Sequence, residues 1–242
     1  TSIKDRLANL TASEAYNSWK AKELTLVQFS CLAPKVRLVL AVYSVADPFD
    51  FSNKLRFVAG DPDSPIDLLK LLAKDKDEWV RISVAENPNC PAYLLEELTK
   101  DEWRIRSSVA DNPNCPVDLL ALLAKDKENN VRQSVAENPN CPMELLEVLA
   151  KDKNEYVRQS VALNPNCPME LLEVLAKDKN EWVRLRVALN QTCPDSLLEV
   201  LAKDKDEYVR RKVADNQSCP ASLLKELVKA KKEGVRRNVA VN

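Results

Sequence analysis

Six cysteines recur at near-constant spacing. Cys90, Cys115, Cys141, Cys167, Cys193 and Cys219 lie 25, 26, 26, 26 and 26 residues apart. A column of thiols suggests metal ligation or disulfide exchange, and both need closer approach than stacked units allow. Equivalent atoms of packed helical units sit about 8–10 Å apart. A disulfide needs Cα atoms within about 7 Å, and thiolates sharing a metal must come closer still. No CxxC pair occurs and the chain has no histidine, so no metal and no cofactor is expected. The column reads as small, half-buried cap residues. A helix N-terminus lowers a thiol pKa, so modest reactivity stays open.

Three further columns run in step with the first. Arg81, Arg106, Arg132, Arg158, Arg184, Arg210 and Arg236 suit either a phosphate rail or a structural ladder. Asp126, Asp152, Asp178 and Asp204 each stand six residues before an arginine, which favours a ladder of Asp–Arg pairs, broken where Ala230 precedes Arg236. Asn87, Asn112, Asn138, Asn164, Asn190 and Asn216 read as helix terminators. Trp79, Tyr156, Trp182 and Tyr208 stand two residues before the arginine, with Asn130 and Gly234 interrupting. On a helical wheel Val80, Arg81, Val84 and Ala85 centre on one side, and positions 79, 82, 83 and 86 opposite. The aromatics are therefore expected on or near an exposed face as a ligand-contacting ladder, or else packed on the turn of the next unit.

What is missing excludes most enzyme chemistry. Without histidine there is no Ser-His-Asp or Cys-His centre. With two glycines, Gly60 and Gly234, no loop makes a phosphate cradle. Charged residues are 30% of the 242, yet the net charge is −1. That balance disfavours a dedicated nucleic-acid or membrane-surface protein. Residues 193–242 carry 11 Lys/Arg and 8 Asp/Glu, a net of +3 that leaves −4 on the remainder. The most apolar stretch, Leu38 to Ala46, is far short of the roughly 20 residues of a membrane span. A cytoplasmic, non-enzymatic protein with reduced thiols is expected. The chain has no initiator Met and stops at Asn242 inside a unit, as a fragment of a longer protein would.

The elements follow from one unit, CPMELLEVLAKDKNEYVRQSVALNPN at 141–166, nearly repeated at 167–192. Pro142 suits the first position of a helix, with Cys141 at its N-cap. Ser64 and Asp67 make the same arrangement with better capping chemistry. Leu145, Leu146 and Leu149 form an apolar face. Lys151-Asp152-Lys153 is the turn. Tyr156 to Ala162 is a second helix with Val157, Val161 and Ala162 inward, and Asn164-Pro165 ends it. Neither helix hides its apolar face alone, so units must stack. The expected fold is an all-α solenoid, a superhelix of two-helix repeats. Residues 61–242 make about seven repeats of 26 residues, the last incomplete. Residues 1–60 read as a degenerate N-terminal cap, with a capping box at Thr11–Glu14 opening a helix through Trp19. Val36 to Ala41 and Leu55 to Ala59 echo the second helix.

The unit VRxxVAxNPNCPxxLLExLAKD resembles the leucine-rich repeat variant family over roughly residues 55–242. The resemblance implies alternating α and short or 3₁₀ helices and a concave face. A member of that family carries an N-terminal iron–sulfur cluster on grouped cysteines. Here Cys31 is the sole cysteine before Cys90, so no cluster carries over. The Asp–Arg columns are also similar to the ladder of HEAT repeats.

A non-catalytic scaffold binding a protein partner through its concave face is the leading expectation. The alternative is nucleic-acid or nucleotide binding on the basic, aromatic C-terminal part of that face. The columns at 82, 83 and 86 vary from unit to unit, as a recognition surface does and as a solvated face also does. Trp182, Arg186, Tyr208, Arg211 and Lys212 are the expected partner-binding residues, as the one stretch where aromatic and basic columns coincide. The plainer alternative packs Trp182 and Tyr208 between repeats and leaves the cations solvated.

Overall fold

The computed structural model describes residues 55–228, and every described element is an α-helix. The cap helix expected after Thr11, the echo at 36–41, Cys31 and the second helix of the last repeat lie outside the described residues. The chain divides after Pro116 into two compact units.

In the first unit a helical segment at 55–60 precedes α1 (Ile66–Leu72), α2 (Glu78–Glu86), α3 (Ala92–Leu98) and α4 (Trp103–Asp111). The second unit holds α5 (Val117–Leu123), α6 (Asn129–Glu137), α7 (Met143–Leu149), α8 (Glu155–Leu163), α9 (Met169–Leu175), α10 (Glu181–Leu189), α11 (Asp195–Leu201), α12 (Glu207–Asp215) and α13 (Ala221–Val228). First helices of a complete repeat have seven residues and second helices nine. No 3₁₀ helix occurs among the described residues, so the short helix is α, not 3₁₀ as the family resemblance implies.

Proline sets the start of the first helix differently from the expectation. Pro142 is the N-cap, extended at φ −62° and ψ 150°, and the helix begins at Met143. The ring fixes φ and brings no orphan N–H to the helix mouth. Cys141 therefore lies one residue before the cap. Ser64 likewise does not cap α1, and its hydroxyl donates instead to the Val58 carbonyl.

Four of the six second helices among the described residues, α2, α8, α10 and α12, are capped by side chains, and α4 and α6 are not. Asn154 accepts from the Tyr156 N–H (2.8 Å), Asn180 from Trp182 (2.8 Å) and Asp206 from Tyr208 (2.8 Å). These caps fix the first turn and with it the aromatic residue. In the second unit α6 packs on α8, α8 on α10 and α10 on α12. Leu146, Leu149, Val157, Val161 and Ala162 are fully or almost fully buried, as are their counterparts in each complete repeat. Leu145 is half-buried. The segment at 55–60 serves as a second helix to α1, with Leu55, Val58 and Ala59 buried.

Candidate functional site

The arginine column is structural, and its pairing differs from the one expected. Arg158 donates from Nε and one terminal nitrogen to both oxygens of Asp178, at 2.7 and 3.0 Å, twenty residues ahead in the next repeat. To Asp152, six residues back, it donates through the backbone carbonyl at 2.8 Å. Arg132 bridges to Asp152 (2.6 and 2.9 Å) and Arg184 to Asp204 (2.7 and 2.9 Å) in the same way. In the first unit Arg81 holds Asp101 at 2.8 and 3.1 Å. Within each unit the ladder thus ties a repeat to the one that follows it. Two parallel charge-assisted bonds match the guanidinium fork to a carboxylate.

Protonation follows from that geometry. Burial disfavours the charged form of Asp152, Asp178 and Asp204. The arginine bonds and a backbone N–H two residues on outweigh it, so each carboxyl lies below the ordinary carboxylate range. Arg132, Arg158 and Arg184 are raised above the ordinary guanidinium value, chiefly by the bonds to those carboxylates and against the effect of burial.

The asparagine column does more than end helices. Asn164 is buried, and its Nδ2 donates to the Ala136 and Asn138 carbonyls of the preceding repeat at 2.8 and 3.1 Å. Its Oδ1 accepts from the Asn166 N–H at 2.8 Å. Asn190 and Asn216 repeat these bonds, as does Asn87 in the first unit on Ala59 and Asp61. One amide thus satisfies two buried carbonyls and a part-buried N–H at a helix end.

The cysteines are buried and free. Burial pushes Cys90, Cys115, Cys167 and Cys193 up to about 12, and Cys141 to about 11. Cys219 is also raised. Desolvation therefore outweighs any lowering by the helix N-terminus, which removes the expected modest reactivity. Among the described residues no three His, Cys, Asp or Glu gather where a metal ion could sit. No described helix is long and apolar enough to cross a membrane.

The five expected partner-binding residues lie on α10 and α12. Trp182 and Tyr208 are 50% and 52% exposed, and their rings stack at 6.3 Å between centroids and 22° between planes. They are half-exposed and stack on each other across two repeats. The Arg211 guanidinium carbon lies 5.1 Å from the Tyr208 ring centroid. The Nε atoms of Arg186 and Arg211 are buried with no hydrogen-bond partner. Lys212 is taken up by Asp215, one turn on, at 2.7 Å.

The helical-wheel assignment of the surrounding columns is corrected. Ile82, Ser108, Ser134, Gln159, Ser160 and Leu185 are buried, because second helices pack side by side and sandwich these positions. Ser160 donates to Glu137 of the preceding repeat at 2.7 Å. Aromatic and basic groups also meet elsewhere. Arg56 lies over Trp79 at 5.0 Å and Arg104 over Trp103 at 4.8 Å. What sets Trp182 and Tyr208 apart is a stack spanning two repeats beside two arginines with an unpartnered Nε. The caps Asn180 and Asp206, which orient those rings, were not singled out from sequence. Their signal is an Asn or Asp followed by Glu and then the aromatic.

No protein-family profile and no curated protein matches the chain. Among solved structures, that of YibA from E. coli is 17% identical over 96% of this chain and 97% of that one, with a TM-score of 0.49. An engineered protein is 13% identical over 86% of this chain and 77% of that one, with a TM-score of 0.35. Neither likeness bears on what this chain binds.

Proposed function

We propose that the chain is a non-catalytic, cytoplasmic scaffold of the leucine-rich repeat variant type, and that it binds a protein partner through the second-helix face at Trp182, Arg186, Tyr208, Arg211 and Lys212. The observation that carries this reading is the half-exposed Trp182–Tyr208 stack capped by Arg211. Aromatic residues beside arginine are the usual composition of interface anchors, each worth about 2 kcal/mol or more when lost. The unpartnered Nε atoms of Arg186 and Arg211 are donors that a partner's carboxylate or carbonyl would satisfy.

A second reading rests on the same stack. Aromatic rings with an arginine alongside also take single-stranded nucleic acid, whose affinity falls steeply with salt. The test is a Trp182→Ala/Lys212→Glu variant, checked for unchanged helicity, in quantitative pull-down against the wild type. Loss of the captured proteins supports the protein-binding reading. Unchanged capture rejects this face. Steeply salt-dependent binding to random oligonucleotides, lost in the variant, favours the second reading.

A further inference from the structure

The first helices of the second unit carry a surface of a different kind. Helices α7, α9 and α11 each show solvent their residues at i, i+1, i+4 and i+5, which in α7 are Met143, Glu144, Glu147 and Val148, and α5 shows Val117, Asp118 and Leu122. Leu122, Val148, Val174 and Val200, one per helix, are 56, 60, 59 and 59% exposed. Val117, Met143 and Met169 are exposed in the same repeats. Large apolar side chains recurring over four successive helices form a strip, not scattered exposure. Asp118, Glu144, Glu147, Glu170, Glu173, Asp195 and Glu199 line it, and these four helices contain no Lys or Arg. None of those carboxylates forms an ion pair among the described residues. The first unit differs: there Lys70 lies over Tyr93 at 5.3 Å, and Lys74 pairs with Glu97 at 3.5 Å.

Between α7 and α9 the surface sinks into a groove of about 550 Å³, with Met143, Leu171 and Val174 on its walls, Glu147 and Glu170 at its sides and Lys151 at one end. The corresponding groove two repeats on, between α11 and α13, is narrowed to about 150 Å³, and its Lys203 is the counterpart of Lys151.

We infer that this face docks a basic amphipathic helix of a partner protein. The apolar strip takes the partner's apolar stripe, and the flanking carboxylates take its Lys and Arg. The spacing fits. Stacked helices lie about 8–10 Å apart, and an α-helix rises about 10 Å over seven residues. A helix crossing the four first helices therefore meets one apolar residue of the strip with every seventh of its own. This surface lies on the opposite helix of each repeat from the Trp182 face and does not depend on it.

The probe is a labelled helical peptide of about 21 residues, three heptads with Leu on one face and Lys elsewhere, followed by fluorescence anisotropy. The wild type is expected to bind it with Kd on the order of 10 μM. A Leu/Glu peptide of the same pattern is expected not to bind. Val148→Ser/Val174→Ser and Glu144→Lys/Glu170→Lys should each weaken binding at least tenfold while keeping wild-type helicity. Two independent surface variants keep the test decisive if one folds poorly. Trp182→Ala/Lys212→Glu should bind the peptide as the wild type does. The inference is overturned if the peptide fails to bind, if the Leu/Glu peptide binds as well, if both strip variants bind like the wild type, or if the Trp182 variant loses the peptide. Wild-type self-association abolished by Val148→Ser/Val174→Ser would also overturn it, by making a second copy the occupant.

Discussion

Helices α8 and α12 have the same length, the same type of cap and the same asparagine at their ends, yet they differ where they meet their neighbours. Ser160 of α8 finds Glu137 of the preceding repeat, and Gln159 is buried. The counterparts on α12 are Lys212 and Arg211. There Leu189 replaces Glu137, Lys212 turns to Asp215 on its own helix, and the Arg211 Nε has no partner. Arg186 on α10 shows the same change against Leu163. The asparagine bonds are unaltered between these regions, and the Arg–Asp bonds run through Arg158 and Arg184 to Asp204, ending at Arg210. The fold is thus held by columns that do not vary, and recognition is free to use columns that the seam does not touch.

The largest effect should come from cutting the seam. Asp178→Ala leaves Arg158 buried without its carboxylate, a loss of about 3 kcal/mol or more. That corresponds to a fall in Tm on the order of 10 °C. A double-mutant cycle should show Asp178 coupled to Arg158 and not to Arg184, whose bond to residue 178 uses the backbone carbonyl. Coupling to Arg184 instead would restore the pairing within a repeat. Asn164→Ala should cost about 1–3 kcal/mol, because two carbonyls and one N–H lose their partner. A melting curve identical to wild type would reduce the amide to a plain helix stop.

Acid should act on the seam next. Asp101, Asp152, Asp178 and Asp204 have folded pKa values below the ordinary one. Their contribution is therefore complete above about pH 4, the unfolded value, and is lost as pH falls below it. Thermal melts between neutral pH and pH 3 should show Tm dropping in that window. The drop should be shallower in Asp178→Asn, and equal slopes would disconnect the seam from acid stability.

Changes on the face should be mild by comparison. Trp182→Ala removes one exposed aromatic stack, about 1 kcal/mol. A loss as large as that of Asp178→Ala would make Trp182 part of the core. The cysteines should show the smallest effect. A thiol reagent near pH 8 should label at most one of the seven cysteines in the native chain and all of them in denaturant. Rapid native labelling of several would contradict their raised pKa values.

The repeat length, the two helices, the turn and the buried Leu, Val and Ala columns were legible in the sequence, because each repeat restates the same apolar spacing. The direction of the arginine bonds was not. With a 26-residue repeat, an aspartate six residues back and one twenty residues ahead belong to the same column, so spacing cannot choose between them. The ladder end shifts accordingly. Twenty residues after Arg210 stands Ala230, and among the described residues Arg210 donates only to the Asp204 and Lys205 carbonyls. The helical wheel failed at Gln159, Ser160 and Leu185 because it treats a helix as having one buried side. A second helix in a stack touches its own first helix and a neighbour on each flank. Exposure is then confined to a narrow edge, and Tyr156, Trp182 and Tyr208 reach it from the first turn.

The separation of seam and face is tested most directly by giving α10 and α12 the residues of α8, as Arg186→Ser/Arg211→Gln/Lys212→Ser, and measuring quantitative capture of partner proteins. The predicted result is a Tm no lower than wild type, since two unpartnered buried Nε atoms are removed, with capture reduced tenfold or more. Capture at the wild-type level by this folded variant would contradict the account.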